Sequence, residues 1–67
     1  MRKPTSAELK HAESVAGWRE RYAMQHGTPR AVIQGGALCF RFEYSKKLPY
    51  QDANGAQYDT TRQRWTN

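Results

Sequence analysis

The sequence predicts a single small α+β domain in which one N-terminal helix packs on an antiparallel sheet of three to four strands. Three observations predict this fold. The chain has only 67 residues, helix-start and helix-stop signals bracket residues 5–27, and a β-hairpin pattern runs over residues 30–44. A chain of this length forms one domain.

The predicted helix spans residues 5–27 and follows a short N-terminal arm, residues 1–4. Thr5 and Glu8 have the spacing of a capping box, in which each side chain accepts a hydrogen bond from a backbone amide of the first turn. Gly27 marks the helix end. At ~100° per residue, one face carries two ridges that we expect to turn toward the core. The bulky ridge comprises His11, Val15, Trp18 and Tyr22, and the small ridge comprises Leu9, Ala12, Ala16 and Ala23.

A helix of ~20 residues is about 30 Å long, which is more than a short sheet covers. Part of its face is therefore expected to contact a second chain, and we predict a homodimer. Arg19 lies between the two ridges. It either extends along the helix edge or takes part in an interface, where arginine is enriched. The predicted interface residues are Ala12, Ala16, Arg19 and Ala23.

The hairpin pattern places the Gly-Gly pair at 35–36 in a two-residue turn, so that Gln34 opposes Ala37. Opposed residues share one face of the sheet. The predicted core face carries Ala31, Ile33, Leu38, Phe40, Phe42 and Tyr44. The predicted solvent face carries Val32, Cys39, Arg41 and Glu43.

Residues 45–67 are polar and weakly patterned. The Asn-Gly pair at 54–55 is a type I′ turn signal, which predicts a second, shorter hairpin from residues 50–53 and 56–61. Residues 62–65 either extend the last strand or hang free.

The net charge of +5 favours an anionic partner, such as nucleic acid, an acidic protein surface or a phospholipid surface. A small soluble domain also carries such a charge for solubility alone. A single cysteine, Cys39, excludes an intramolecular disulfide and multi-cysteine zinc sites. Because no stretch approaches the ~18 apolar residues of a membrane span, we expect a cytoplasmic protein.

The residues do not form an arrangement typical of catalysis. His11 and His26 are too far apart to bind one metal ion, and the carboxylates are scattered. No histidine is expected beside Cys39, so a nucleophilic thiol is not predicted. We therefore expect a non-enzymatic protein with neither a cofactor nor a metal ion.

Basic and aromatic residues are interleaved in the second half of the chain. Arginine and lysine neutralise phosphates, and aromatic rings stack on unpaired bases. This pattern predicts contact with DNA or RNA, whereas the alternative is that the aromatics complete a thin core and the cations solvate the surface. The predicted binding residues are Arg41, Lys46, Lys47, Tyr50, Arg62, Arg64 and Trp65.

Two other functions remain open. The chain has no helix-turn-helix, zinc-finger, RNP or KH motif. As a compact, basic chain with Trp and Tyr and no catalytic residues, it resembles the accessory proteins of phages and plasmids. That resemblance implies an inhibitor or adaptor that contacts a host nucleic-acid-handling complex, as an anti-CRISPR protein does. The third possibility is a structural component that folds only with its neighbours.

Overall fold

The computed structural model describes residues 2–44 and 55–66. The elements are α1 (Ser6–Ser14), α2 (Trp18–His26), β1 (Thr28–Gln34), β2 (Ala37–Glu43), β3 (Ala56–Asp59) and β4 (Arg64–Trp65). The strands form one antiparallel sheet in the order β1-β2-β3-β4. The predicted α+β class and small antiparallel sheet are confirmed, but the described residues form two helices where one was predicted. The predicted strand at 50–53 lies outside the described residues.

The helix starts as predicted and is then interrupted. The Thr5 hydroxyl accepts a hydrogen bond from the Glu8 amide at 3.2 Å, and the Glu8 carboxylate accepts one from the Thr5 amide at 2.9 Å. Helix α1 ends at Ser14 with Val15 as its C-cap, and Gly17, with extended backbone angles (φ −84°, ψ −170°), is the N-cap of α2. The prediction of one continuous helix over 5–27 is therefore wrong. Glycine is a poor helix former because it loses the most backbone entropy in a helix.

The interruption redirects the chain, so the bulky ridge predicted for the core is divided. Val15 and Trp18, on either side of the break, are 49% and 60% exposed. His11 and Tyr22 remain half-buried. The prediction that Val15 and Trp18 pack in the core is wrong, because α2 does not continue the face of α1.

The core lies between the helices and one face of the sheet. Its buried members are Ala12, Ala23, Phe40, Phe42, Ala56 and Tyr58. The small side chains of Ala12 and Ala23 are enclosed within the chain itself and do not reach the surface. These two residues therefore offer no surface to a second chain, whereas Ala16 is half-buried and Arg19 is exposed.

The first hairpin has the predicted register, with Gln34 opposite Ala37. Both turn residues have positive φ, +59° at Gly35 and +79° at Gly36, a region that glycine adopts more readily than residues with a side chain. Phe40 and Phe42 are buried as expected. Ile33, predicted on the core face, is exposed because it lies on the edge strand beside the turn.

Strand β4 returns along β3 through a tight turn that the sequence pattern did not predict. The Asp59 carboxylate accepts hydrogen bonds from the amides of Thr61 at 2.8 Å and Arg62 at 3.0 Å. An Asp side chain that binds amides two and three residues ahead stabilises a turn. Residues 62–65 therefore neither extend β3 nor hang free, since Trp65 pairs with Tyr58.

The N-terminal arm is attached to α1 by an ion pair. The two terminal nitrogens of Arg2 lie 2.6 and 2.7 Å from the two carboxylate oxygens of Glu8. This pair, together with the Thr5 amide, lowers the pKa of Glu8 from 4.5 to about 2. None of the helices in the described part of the chain is long and apolar enough to cross a membrane.

The lowered pKa of Glu8 predicts a specific acid response. Because the folded pKa lies below the unfolded value, the stabilisation is complete above pH 4.5 and is lost as the pH falls toward about 2. We expect Glu8→Gln to lower the melting temperature at neutral pH and to make its fall across this range less steep. Thermal melting followed by circular dichroism measures both effects. Glu13→Gln on the same helix is the control, and an equal change in both variants would contradict this assignment.

Candidate functional site

The sheet has a face packed against the helices and an opposite face, which we call the outer face. Strand alternation and register place these residues on the outer face: Arg30, Val32, Gln34, Ala37, Cys39, Arg41, Glu43, Gln57, Asp59 and Arg64. Three of them are exposed arginines, one each on β1, β2 and β4. Among the described residues, this face carries no aromatic side chain.

Arg30 and Arg41 stand directly opposite each other on β1 and β2. Like charges in opposed positions disfavour strand pairing. One carboxylate lies near both of them, since Glu43 Oε1 is 3.4 Å from Arg30 Nη2 and 3.7 Å from Arg41 Nε. Two guanidinium groups around a single carboxylate leave this part of the face positively charged and suited to an anion.

A layer of small and amide side chains lies beside these arginines. The Gln57 side chain on β3 donates a hydrogen bond from Nε2 to Gln34 Oε1 on β1, so the pair crosses the intervening strand β2. Gln57 is only 8% exposed and Cys39 2%. Burial raises the pKa of the Cys39 thiol, which keeps it protonated at neutral pH and unlike a nucleophilic cysteine.

A recess of about 290 Å³ opens among these residues. Its polar lining comes from Arg19, Gln34, Arg41, Gln57 and Thr66. Arg19 belongs to the first turn of α2, so the recess joins a helix end to the sheet. The described part of the lining holds two guanidinium groups and no carboxylate.

Trp65 does not lie on the outer face. Its ring packs against Phe42 and Tyr58, with centroids 5.6 and 5.5 Å apart. Its Nε1 donates a hydrogen bond to the Ala12 carbonyl oxygen at 3.0 Å. That oxygen is left without its usual helical partner, because the Ala16 amide bonds to Glu13 instead. In this chain Trp65 therefore anchors the C-terminal strand to α1.

The predicted binding residues are separated by the fold. Arg41 and Arg64 share the outer face, whereas Arg62 lies in the β3–β4 turn, where its Nη1 is 3.0 Å from Asp59 Oδ2. Trp65 belongs to the opposite, helix-packed face. Lys46, Lys47 and Tyr50 lie outside the described residues.

Sequence reasoning did not include Arg30 among the binding residues and did not place Arg19 beside Arg41. The position of Arg30 could have been predicted, because the hairpin register expected from the sequence places it opposite Arg41. The predicted interface residue Arg19 joins Arg41 in one recess only because the chain turns at Gly17. In residues 2–44 and 55–66, no three His, Cys, Asp or Glu side chains are grouped to hold a metal ion. No protein-family model, curated protein or solved structure matches the chain.

Proposed function

We propose that the chain is a non-enzymatic nucleic-acid-binding protein whose outer face contacts the phosphate backbone. The observation that carries this proposal is the opposed pair Arg30 and Arg41, which share the single carboxylate of Glu43. Arg64 on β4 extends the positive charge across the sheet. Guanidinium groups match phosphate oxygens in a bidentate geometry.

The composition of the face favours backbone contact over base recognition. Base stacking requires exposed rings, whereas Trp65 and Tyr58 are packed on the opposite face. Phosphate contacts position a protein on nucleic acid and carry little sequence information. We therefore infer binding of low sequence specificity and strong salt dependence.

Salt titration tests the proposal. Fluorescence anisotropy with labelled duplex DNA, single-stranded DNA and RNA is measured over a range of salt concentrations. Each phosphate contact contributes about 0.9 to the log–log slope for duplex DNA and about 0.7 for single strands. We expect Arg41→Ala to reduce the slope by about one such contact.

The matched control is Arg21→Ala, which removes the same charge from an exposed position on α2. We expect the control to keep the slope of the unmodified protein. A flat salt response, or the same loss of slope in both variants, would contradict the proposal.

A second candidate is the adaptor or inhibitor that contacts a protein of a nucleic-acid-handling complex. One observation favours it: Val15 and Trp18 are exposed together at the break between the helices. Tryptophan is enriched among the residues that dominate protein–protein binding energy. This candidate predicts a partner that stays bound after nuclease treatment of a cell lysate and is lost with Trp18→Ala, with nucleic-acid affinity unchanged. If Trp18→Ala retains every captured protein, this candidate is wrong.

A further inference from the structure

We infer that two copies of the chain pair edge to edge through strand β1 and form one continuous antiparallel sheet. The surface involved is the free edge of β1 and not a face of the sheet. This pairing is independent of nucleic-acid binding, and each can occur without the other.

Strand β1 lies at one edge of the sheet. The strand order β1-β2-β3-β4 places β2 on one side of it, and no other described strand pairs with its second side. Ile33 on this strand is 59% exposed. It lies beside the β1–β2 turn, at the end of the sheet opposite to the one where β2 ends and β3 begins. An edge strand presents N–H and C=O groups on which a further strand can pair.

The register of the hairpin shows which backbone groups of β1 face outward. The residues that flank a two-residue turn, here Gln34 and Ala37, form a hydrogen-bonded pair. Because such pairs alternate along an antiparallel ladder, every second residue of β1 bonds to β2. The residues between them, Pro29, Ala31 and Ile33, direct their backbone groups away from β2. Proline has no N–H and is tolerated in a strand where this position faces away from the sheet, so Pro29 is typical of an edge.

Self-pairing around Val32 uses the outward groups of Ala31 and Ile33 in both copies. With a two-fold axis at Val32, Ala31 of each copy lies opposite Ile33 of the other, and each such pair exchanges two hydrogen bonds. Pro29, which has no donor to offer, lies beyond one end of these pairs, and the turn at Gly35 lies beyond the other.

The side chains that this register brings together match. Ile33 loses its exposure against Ala31 of the second copy, and the two Val32 side chains meet at the axis. Arg30 falls opposite Gln34, which is neutral. Like charges directly opposite each other destabilise strand pairing, and this register avoids them. The sequence of β1 is therefore complementary to itself, which favours a second copy of the chain as the partner.

This pairing corrects the interface that the helix pattern predicts. The helix face cannot supply it through Ala12 and Ala23, because both are buried within the chain. A two-fold axis perpendicular to the sheet keeps the outer faces of both copies on the same side. Arg30 and Arg41 of the two copies then lie on one continuous surface.

The first experiment is sedimentation equilibrium of the whole protein without nucleic acid, at rising protein concentration. We expect the mass to rise toward that of a dimer. Ile33→Lys is expected to weaken association about tenfold or more, because it replaces an apolar contact of the pairing with a charge. Trp18→Lys is the matched control, since it makes the same change at an exposed residue on a helix. We expect this control to associate as the unmodified protein does, and circular dichroism checks that both variants are folded.

The second experiment tests the register. Under mild oxidation, Val32→Cys is expected to form a disulfide between two copies, because residues facing each other at the axis meet the Cα separation of roughly 4.4–6.8 Å that a disulfide needs. Gln34→Cys on the same strand lies away from the axis and is expected to form little. The unmodified protein, whose Cys39 is buried, is the control for the native thiol.

Three results would overturn the inference. They are a monomer mass at every concentration, a dimer that persists in Ile33→Lys, and equal cross-linking of Val32→Cys and Gln34→Cys.

Discussion

Replacing Trp65 by alanine is expected to lower the free energy of unfolding by about 3 kcal/mol, the lower end of the range for large aromatic side chains in a core. The residue lies near the C-terminus in a polar segment, yet its ring contacts Phe42 and Tyr58. Its Nε1 also satisfies the Ala12 carbonyl oxygen at the end of α1. A small domain has a total stability of only about 5 kcal/mol or somewhat more. This single change is therefore expected to remove a large part of the stability.

The chain offers a matched control, because its other tryptophan is exposed. Trp18→Ala is expected to change the free energy of unfolding by within about 0.5 kcal/mol, as surface substitutions usually do. Trp65→Phe keeps an aromatic ring, although a smaller one, and loses the donor, so its expected cost lies between those of the two alanine variants, at about 1–2 kcal/mol. Urea denaturation followed by circular dichroism gives all three values. Equal costs for the two alanine variants would show that Trp65 is not part of the core.

The second large effect is expected on nucleic-acid affinity. In the double variant Arg30→Gln and Arg41→Gln, we expect affinity at moderate salt to fall about a hundredfold, since each lost charged contact accounts for about tenfold. The substitutions leave Glu43 exposed to solvent, so the fold is expected to remain. Fluorescence anisotropy measures the affinity, and thermal melting checks the fold.

A second double variant separates the position of the charges from their number. Lys10→Gln with Arg21→Gln removes the same two charges from exposed positions on the helices. We expect the affinity of this control to fall by less than about tenfold, because exposed charges farther away than a Debye length are screened. If both double variants lose affinity equally, binding depends on the net charge and not on a particular face, and the proposed interface is wrong.

The hairpin and the helix start were predictable because their signals are local. The Gly-Gly turn at 35–36 determines the register of the hairpin, which sets the residues of β1 that share a face with Phe40 and Phe42. The capping box likewise depends on two residues, Thr5 and Glu8, within one turn. Where a feature is determined by neighbours in sequence, the sequence predicts it.

The errors arose where distant parts of the chain decide the structure. The apolar periodicity of the helix continues through Gly17, yet the helix breaks there and α2 packs separately against β2 and β3. The polarity around Trp65 indicated an exposed ring, whereas contacts with Ala12 and Tyr58 bury part of it. The contact with Ala12 joins residues 53 positions apart, and local patterns do not report it.

The candidate site likewise has one part that local patterns predict and another that depends on distant parts of the chain. Arg41 was predicted on the solvent face of the hairpin, and the same register places Arg30 opposite it. The recess, in contrast, brings Arg19 from a helix together with Gln57 and Thr66 from the end of the chain. Its composition follows from the order of the strands and the turn at Asp59, which the sequence pattern did not show.

The proposed function requires that the outer face, and not the helices, contacts the phosphate backbone. Chemical-shift mapping distinguishes the two surfaces: ¹⁵N-labelled protein is titrated with an unlabelled oligonucleotide while backbone amide and arginine Nε signals are followed. We predict that the largest shifts fall at Arg30, Arg41, Gln57 and Arg64, and that they reverse when salt is added. Shifts confined to α1 and α2 around Trp18, with the outer-face signals unchanged, would contradict the claim.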